Sequence, residues 1–163
     1  MNKKKKQATT GEAIGNLAGA MGRGLLSGLA GTAAMTVVQM IEMNITGREG
    51  STVPADAIEK VMPFKAPENK EEKMKLAQLV HFAYGTTWGI PLGVMQWVGI
   101  TGTTACLTHF GAVWGAAQAM LPKLDLSPPI TEWSNEQIAS DVFHHAVYTS
   151  VASLTFHAIR PRS

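Results

Sequence analysis

A single cysteine, Cys106, stands in a chain of 163 residues. An internal disulfide is therefore impossible and no thiolate pair can hold a metal. Inside an apolar run, Cys106 reads as a packing residue. Charge is also scarce: Asp, Glu, Lys and Arg make up 16% of the chain, where soluble domains carry roughly 25%. The net charge of +2 owes its basic excess to Lys3, Lys4, Lys5 and Lys6 with Arg160 and Arg162. No aromatic platform is interleaved with these residues, which removes the stacking surface that single-stranded nucleic acid needs. Gln7 to Arg23 is polar and Gly-rich where a compact apolar core should follow basic residues, so the pattern of a cleaved signal peptide is missing. No phosphate-cradling loop precedes a helix, and Ser140 to His144 does not make a nucleophilic triad. These absences point to a non-enzyme without a nucleic-acid partner.

The most informative absence is the longest one. From Leu76 to Pro122 there is no Asp, Glu, Lys or Arg, although the mean hydropathy of the whole chain is only +0.05. A bilayer core of about 30 Å needs roughly 20 mostly apolar helical residues per crossing. The run is long enough for two crossings, with Gly99-Ile100-Thr101-Gly102 as the turn between them. Two companion stretches flank it, giving an all-α expectation: a four-transmembrane-helix bundle of two helical hairpins. The spans fall at about residues 24–43, 77–98, 103–121 and 138–159. Residues 1–23 read as a basic, flexible N-terminus and residues 24–163 as one integral membrane domain.

Local signals fill in the rest. Gly24, Gly28 and Gly31 share one helical face to which Glu42 returns, and small residues let another helix approach closely. Pro54 at a helix start, with Ile58, Val61 and Met62 at three- and four-residue spacing, predicts a short amphipathic helix in the first loop. Pro67, followed by Glu68, Glu71 and Glu72, predicts the start of a helix that runs on into the second span, which Pro91 should kink. Thr108, Gly111, Gly115 and Ala119 give the third span a small face, Pro122 should end it, and Ser134-Asn135-Glu136-Gln137 reads as a capping box. Four spans put both termini on one side. Lys3, Lys4, Lys5, Lys6, Arg23, Arg160 and Arg162 lie on that side and the other half of the 14 Lys and Arg opposite, so the positive-inside rule does not decide. The near absence of acid at the termini places them in the cytoplasm.

Ionisable side chains inside a membrane are costly and are usually turned inward and partnered. Topology puts Glu42, His81, Asp141 and His145 at one depth. His81, Gly85, Gly89 and Gly93 step by four along one helix; Asp141, His145, Thr149, Ser153 and His157 step by four along another, so two His-bearing faces can meet. Tyr84 and Tyr148 follow His81 and His145 by three residues. The candidate functional cluster is thus Glu42, His81, Tyr84, Asp141, His145 and Tyr148. Arg48 can pair with Glu42 or Asp141, His109 reads as a buried hydrogen-bonding residue, and His144 stands beside His145. Three readings compete: hydrogen-bonding glue between helices, a proton- or solute-linked site, and haem or metal ligation through His81 and His145. No attachment motif calls for a cofactor, and neither haem nor a metal is excluded.

Glu42-Met43-Asn44-Ile45-Thr46-Gly47-Arg48 with Ser51 and Pro54, His81-Phe82-Ala83-Tyr84-Gly85 with Trp88-Gly89, His109-Phe110 with Trp114-Gly115, and Asp141 with His144-His145 and Tyr148 together resemble a family. These are small bacterial inner-membrane proteins loosely grouped with YagU-like proteins. The resemblance covers most of the chain from Gly28 onward. It implies an inner-membrane location and a four-helix membrane fold, with no established activity. The expected function is a small transport or stress-related component. The lipid bilayer is its main partner, and a second copy of the chain or a membrane complex supplies whatever solute path four helices cannot.

Overall fold

A computed structural model describes residues 9–161, so Lys3 to Lys6 and Arg162 lie outside the described residues. Five α-helices account for most of the described chain, with one 3-10 turn at Ile130–Glu132 and no strand among the described residues. Helix α1 spans Thr10–Thr46, α2 Val53–Val61, α3 Lys70–Trp97, α4 Gly102–Lys123 and α5 Asn135–Ile159.

The largest departure from expectation is at the start. Helix α1 begins at Thr10, well before the expected Gly24, because Thr9 and Glu12 form a reciprocal capping box that satisfies its first free N–H groups. At 37 residues it is about 55 Å long at 1.5 Å per residue. It ends at Gly47, whose φ of 71° is the left-handed cap that glycine adopts without strain. Helix α3 starts at Lys70 and not at Pro67, since the Asn69 side chain accepts from the Glu71 and Glu72 N–H groups. It continues unbroken to Trp97, and Gly99 and Gly102, both at positive φ, turn the chain into α4. Pro122 does not stop α4, which carries it within its last turn before Lys123. The capping box at Ser134 forms as expected and starts α5.

Helices α1 and α3 run antiparallel with their backbones in contact. A side-chain carbon added at Gly24 would meet the Gly89 carbonyl, one at Gly89 the Gly24 carbonyl, and one at Gly93 the Ala20 carbonyl. Glycine permits this approach, and dispersion and Cα–H···O contacts hold it. The glycine row of α3 therefore meets α1, not the histidine-bearing face of α5. Helix α5 packs on α1 beside α3, where Gly31 lies against Tyr148. Helix α4 rests mainly on α5, through Ala105 and His109. Its small face is open: nothing lies within 4 Å of a side-chain carbon placed at Gly111 or Gly115. The chain is thus less a pair of hairpins than an α3–α1–α5 layer with α4 across it. Leu92, Ala105, Ala152 and Phe156 close one end of the layer with an apolar cluster, and Met35, Val113 and Tyr148 fill the middle, with Trp88 against them.

The amphipathic helix α2 is docked on α3 by buried Ala55 and by an ion pair from Asp56 to Lys73. The hydrogen bond from Lys73 to the Asp56 carboxylate is the main reason that the lysine is held above its ordinary range. A raised folded value means that the contact contributes fully below the unfolded pKa of about 10.4 and is lost as pH rises through the folded one. The protection factors of the Ala57 and Ile58 amides, which remove the intrinsic rise of exchange with pH, should accordingly hold through neutral pH and fall only in strong alkali. Asp56→Asn should lower them across the neutral range.

Candidate functional site

Glu42, His81, Asp141 and His145, four of the six residues of the expected cluster, lie toward the end of the bundle opposite the Leu92 cluster. There the last turns of α1 and α4 meet the first turns of α3 and α5. Gly47 reverses the chain after α1, which brings the Arg48 guanidinium back onto Glu42: Arg48 Nη2 lies 2.9 Å from Glu42 Oε2. The pairing is with Glu42 and not with Asp141. His144 Nε2 is 3.3 Å from the same Glu42 oxygen, while Ser140 Oγ donates to Glu42 Oε1 at 3.3 Å. This carboxylate thus ties the end of α1 to the first turns of α5.

Asp141 anchors the second half of the site. Its Oδ2 accepts from Trp114 Nε1 at 2.7 Å and from Gln118 Nε2 at 3.1 Å, so α4 is fastened to α5 by one carboxylate oxygen. The next turn of α5 leans back on it: His145 Nδ1–H donates to the Asp141 carbonyl at 2.8 Å, with Asp141 Oδ1 3.5 Å away. That bond fixes the tautomer and leaves His145 Nε2 as the free ring nitrogen. His81 stands on α3. Its own Nε2 is buried without a partner.

Charge counting shows what this arrangement can do. Glu42 and Asp141 bring two negative charges, and Arg48 is the one permanent cation bonded to either. One proton shared among His81, His144 and His145 would make the cluster neutral. Two carboxylates, one guanidinium and three imidazoles therefore gather proton-accepting groups beside a negative charge that Arg48 alone does not balance.

Further in, polar contacts become helix fasteners. Tyr148 donates from its hydroxyl to the Gly85 carbonyl at 2.6 Å, and His109 Nε2–H donates to the Trp88 carbonyl at 2.9 Å. Pro91 supplies no N–H to the helix above it, and neighbouring helices commonly bond carbonyls beside such a break. His109 is completely buried, as its position opposite Gly111 and Gly115 implied, and its ring sits 5.7 Å from that of Tyr148. Tyr84 does not join the cluster: it is exposed and packs edge-on to Trp88. His157 is exposed at the far end of α5.

Three contributors were not assigned to the cluster from the sequence, although Trp114 stands in the motif His109-Phe110 with Trp114-Gly115 and Ser140 was weighed only as a nucleophile. Ser140 lies one turn before His144, and Trp114 and Gln118 stand four apart on α4. Gln118 is the lone amide side chain of that helix, a signal that it needed a partner. Among the described residues, no group of three or more His, Cys, Asp or Glu is arranged to hold a metal ion. His81 and His145 alone fall short of the three or four protein ligands that a resident metal usually takes. No family model, no curated protein and no solved structure matches this chain.

Proposed function

We propose that the chain is a four-span integral protein of the bacterial inner membrane with both termini in the cytoplasm. In this reading it is not an enzyme. It is a small transport or stress-related component whose acid–imidazole cluster binds and releases a proton at one face of the membrane.

The observation that carries this reading is the inverted distribution of polarity. Ser27, Thr32, His109 and Thr149 are at most 1% exposed, whereas Leu26, Leu79, Leu107 and Leu154 are 59–69% exposed. In water such a chain would bury its hydroxyls and leave its leucines wet, against the dominant driving force of folding. In lipid the arrangement is the expected one: large apolar side chains face the solvent, and small and hydroxyl-bearing residues fasten helix to helix. By length and composition α1 is the helix among the described residues that qualifies as a membrane crossing. Helices α3, α4 and α5, with 28, 22 and 25 residues, are about 42, 33 and 38 Å long at 1.5 Å per residue and can span a core of about 30 Å. Their lower hydropathy follows from glycines, hydroxyls and histidines, several of which sit on inter-helix contacts.

Proton exchange is supported by access as well as charge. The Glu42 and Arg48 side chains are 26% and 48% exposed, so the cluster opens to the aqueous phase at its own end. The Leu92, Ala105, Ala152 and Phe156 cluster seals the other. Passage of a solute across the membrane would then need a second copy of the chain or a partner.

In the full-length protein in liposomes, the 15N signals of His81, His144 and His145, counted apart from the other histidines and the terminal amine, should together report uptake of about one proton per chain between pH 8 and 5, the window in which imidazole titrates. Either Glu42→Gln or Asp141→Asn leaves one carboxylate against Arg48 and should abolish that uptake. Wild-type protein in which none of these three rings gains a proton across this range would overturn the reading.

A further inference from the structure

Helix α5 follows α1 in antiparallel register. Gly31 of α1 lies against Tyr148 of α5, and about two turns away on each helix the Arg23 guanidinium carbon stands 5.7 Å from the centre of the Phe156 ring. One more turn on each brings Gly19 beside Arg160, the residue that caps α5. Arg23 leans that way: its Nη1 lies 3.4 Å from where a side-chain carbon on Gly19 would stand. The two arginines thus share one end of the bundle, on helices in contact. No acid balances them. Among the described residues neither guanidinium makes an ion pair, and the Arg23 Nε–H is buried without a partner. There is no Asp or Glu between Glu12 and Glu42, between Glu72 and Asp125, or after Asp141. The parts of α3, α4 and α5 that reach this end therefore carry no carboxylate side chain. Glu12 stands about 16 Å further along α1 at 1.5 Å per residue and is bonded to Thr9.

We propose that Arg23 and Arg160 bind the phosphate of an anionic membrane lipid. The site rests on the reading of the chain as membrane-spanning. Depth favours a lipid over a dissolved anion. Arg23 precedes Glu42 on the same helix by about 28 Å at 1.5 Å per residue, close to the thickness of a hydrocarbon core of about 30 Å. With Glu42 at one boundary of the core, Arg23 stands at the other, level with the lipid phosphates. Trp97, at the end of α3 and 44% exposed, is the aromatic anchor of that interface. Just inside it, Leu26 and Leu154 are exposed, which gives acyl chains apolar surface to lie along. The chemistry agrees with the depth. Phe156 covers one face of the Arg23 guanidinium, whose N–H donors lie in its plane, in the fork that matches phosphate oxygens. Arg23 is partly buried, and the loss of water strengthens its attraction to an anion. Arg160 is exposed and adds a second positive charge from the headgroup side. Basic groups on the cytoplasmic side of spanning helices hold anionic headgroups in this way.

Native mass spectrometry of the full-length protein, released from nanodiscs of mixed phosphatidylcholine and phosphatidylglycerol, tests this directly. One phosphatidylglycerol per chain should be retained over phosphatidylcholine by about 25-fold, the product of two basic side chains near an anionic surface at about fivefold each. Arg23→Gln and Arg160→Gln should each lower that preference about fivefold. Arg160 lies beyond the last turn of α5 and in solvent, so its variant gives the answer where Arg23→Gln fails to fold. Lys123→Gln removes the same charge at the opposite end of the bundle and should change the preference less than about twofold, because exposed charges that far apart are screened. An equal loss at Lys123 would reduce the preference to net charge and overturn the site. So would a preference that survives in both arginine variants, or one that excess inorganic phosphate abolishes, which would mark a site for free anions. A protein that enters the nanodiscs yet holds both lipids equally overturns the lipid site alone. One that never enters the lipid phase overturns the membrane reading beneath it.

Discussion

Gly89→Leu should destabilise the protein by about 3 kcal/mol, toward the upper end for overpacking, because backbone and not a flexible side chain stands in the way. The added side chain lands on the Gly24 carbonyl and the Gly28 amide. Neither can rotate aside, so α1 and α3 must separate along their whole contact. Gly115→Leu adds the same atoms where nothing lies within 4 Å, and its effect should stay within about 0.5 kcal/mol, as for other open positions. Denaturant unfolding in detergent or bicelles separates the two. Equal losses would show that the glycine row of α3 does not carry the packing.

Asp141→Ala should produce the second large effect, about 2–4 kcal/mol, since it strands several donors at once. Trp114 Nε1–H and Gln118 Nε2–H both lose their acceptor, and α4 has few other polar ties to α5. Asp141→Asn keeps one carbonyl oxygen and should recover much of the stability while still abolishing proton uptake. The split matters: a purely structural role predicts that the two variants differ in stability and leave proton binding untouched. Trp114 fluorescence follows the local change, because the indole N–H leaves a carboxylate.

Much of this arrangement was legible in the residues. The start of α5 declared itself at Ser134, where side chains complete the capping. So did the shared end of Glu42, His81, Asp141 and His145, because chain reversal alone fixes it. The start of α1 was missed because Gln7 to Arg23 looks too polar and too rich in glycine for a helix. The Thr9–Glu12 capping box and the contact of Ala20 with Gly93 override that propensity. Pro122 was read as a stop although proline in a last turn removes only one bond. Pairing of faces was the least legible level. The row His81, Gly85, Gly89 and Gly93 marks a seam in sequence, but whether α1 or α5 fills it depends on matching small residues across two helices. Gly28 and Thr32 decide it in favour of α1. Likewise Thr108, Gly111, Gly115 and Ala119 share a face, yet a shared face does not say that a neighbour occupies it. The roles of Ser140, Trp114 and Gln118 were not legible because a lone hydroxyl, indole or amide acquires meaning only beside its acceptor.

All of these expectations depend on the medium around α1, α3, α4 and α5. Cells expressing the chain should be broken, spun at high speed and the pellet washed with alkaline carbonate, which strips peripheral proteins but not spanning helices. The polypeptide should remain in the pellet and appear in solution only with detergent. Recovery in the supernatant before any detergent is added would contradict the account at its root.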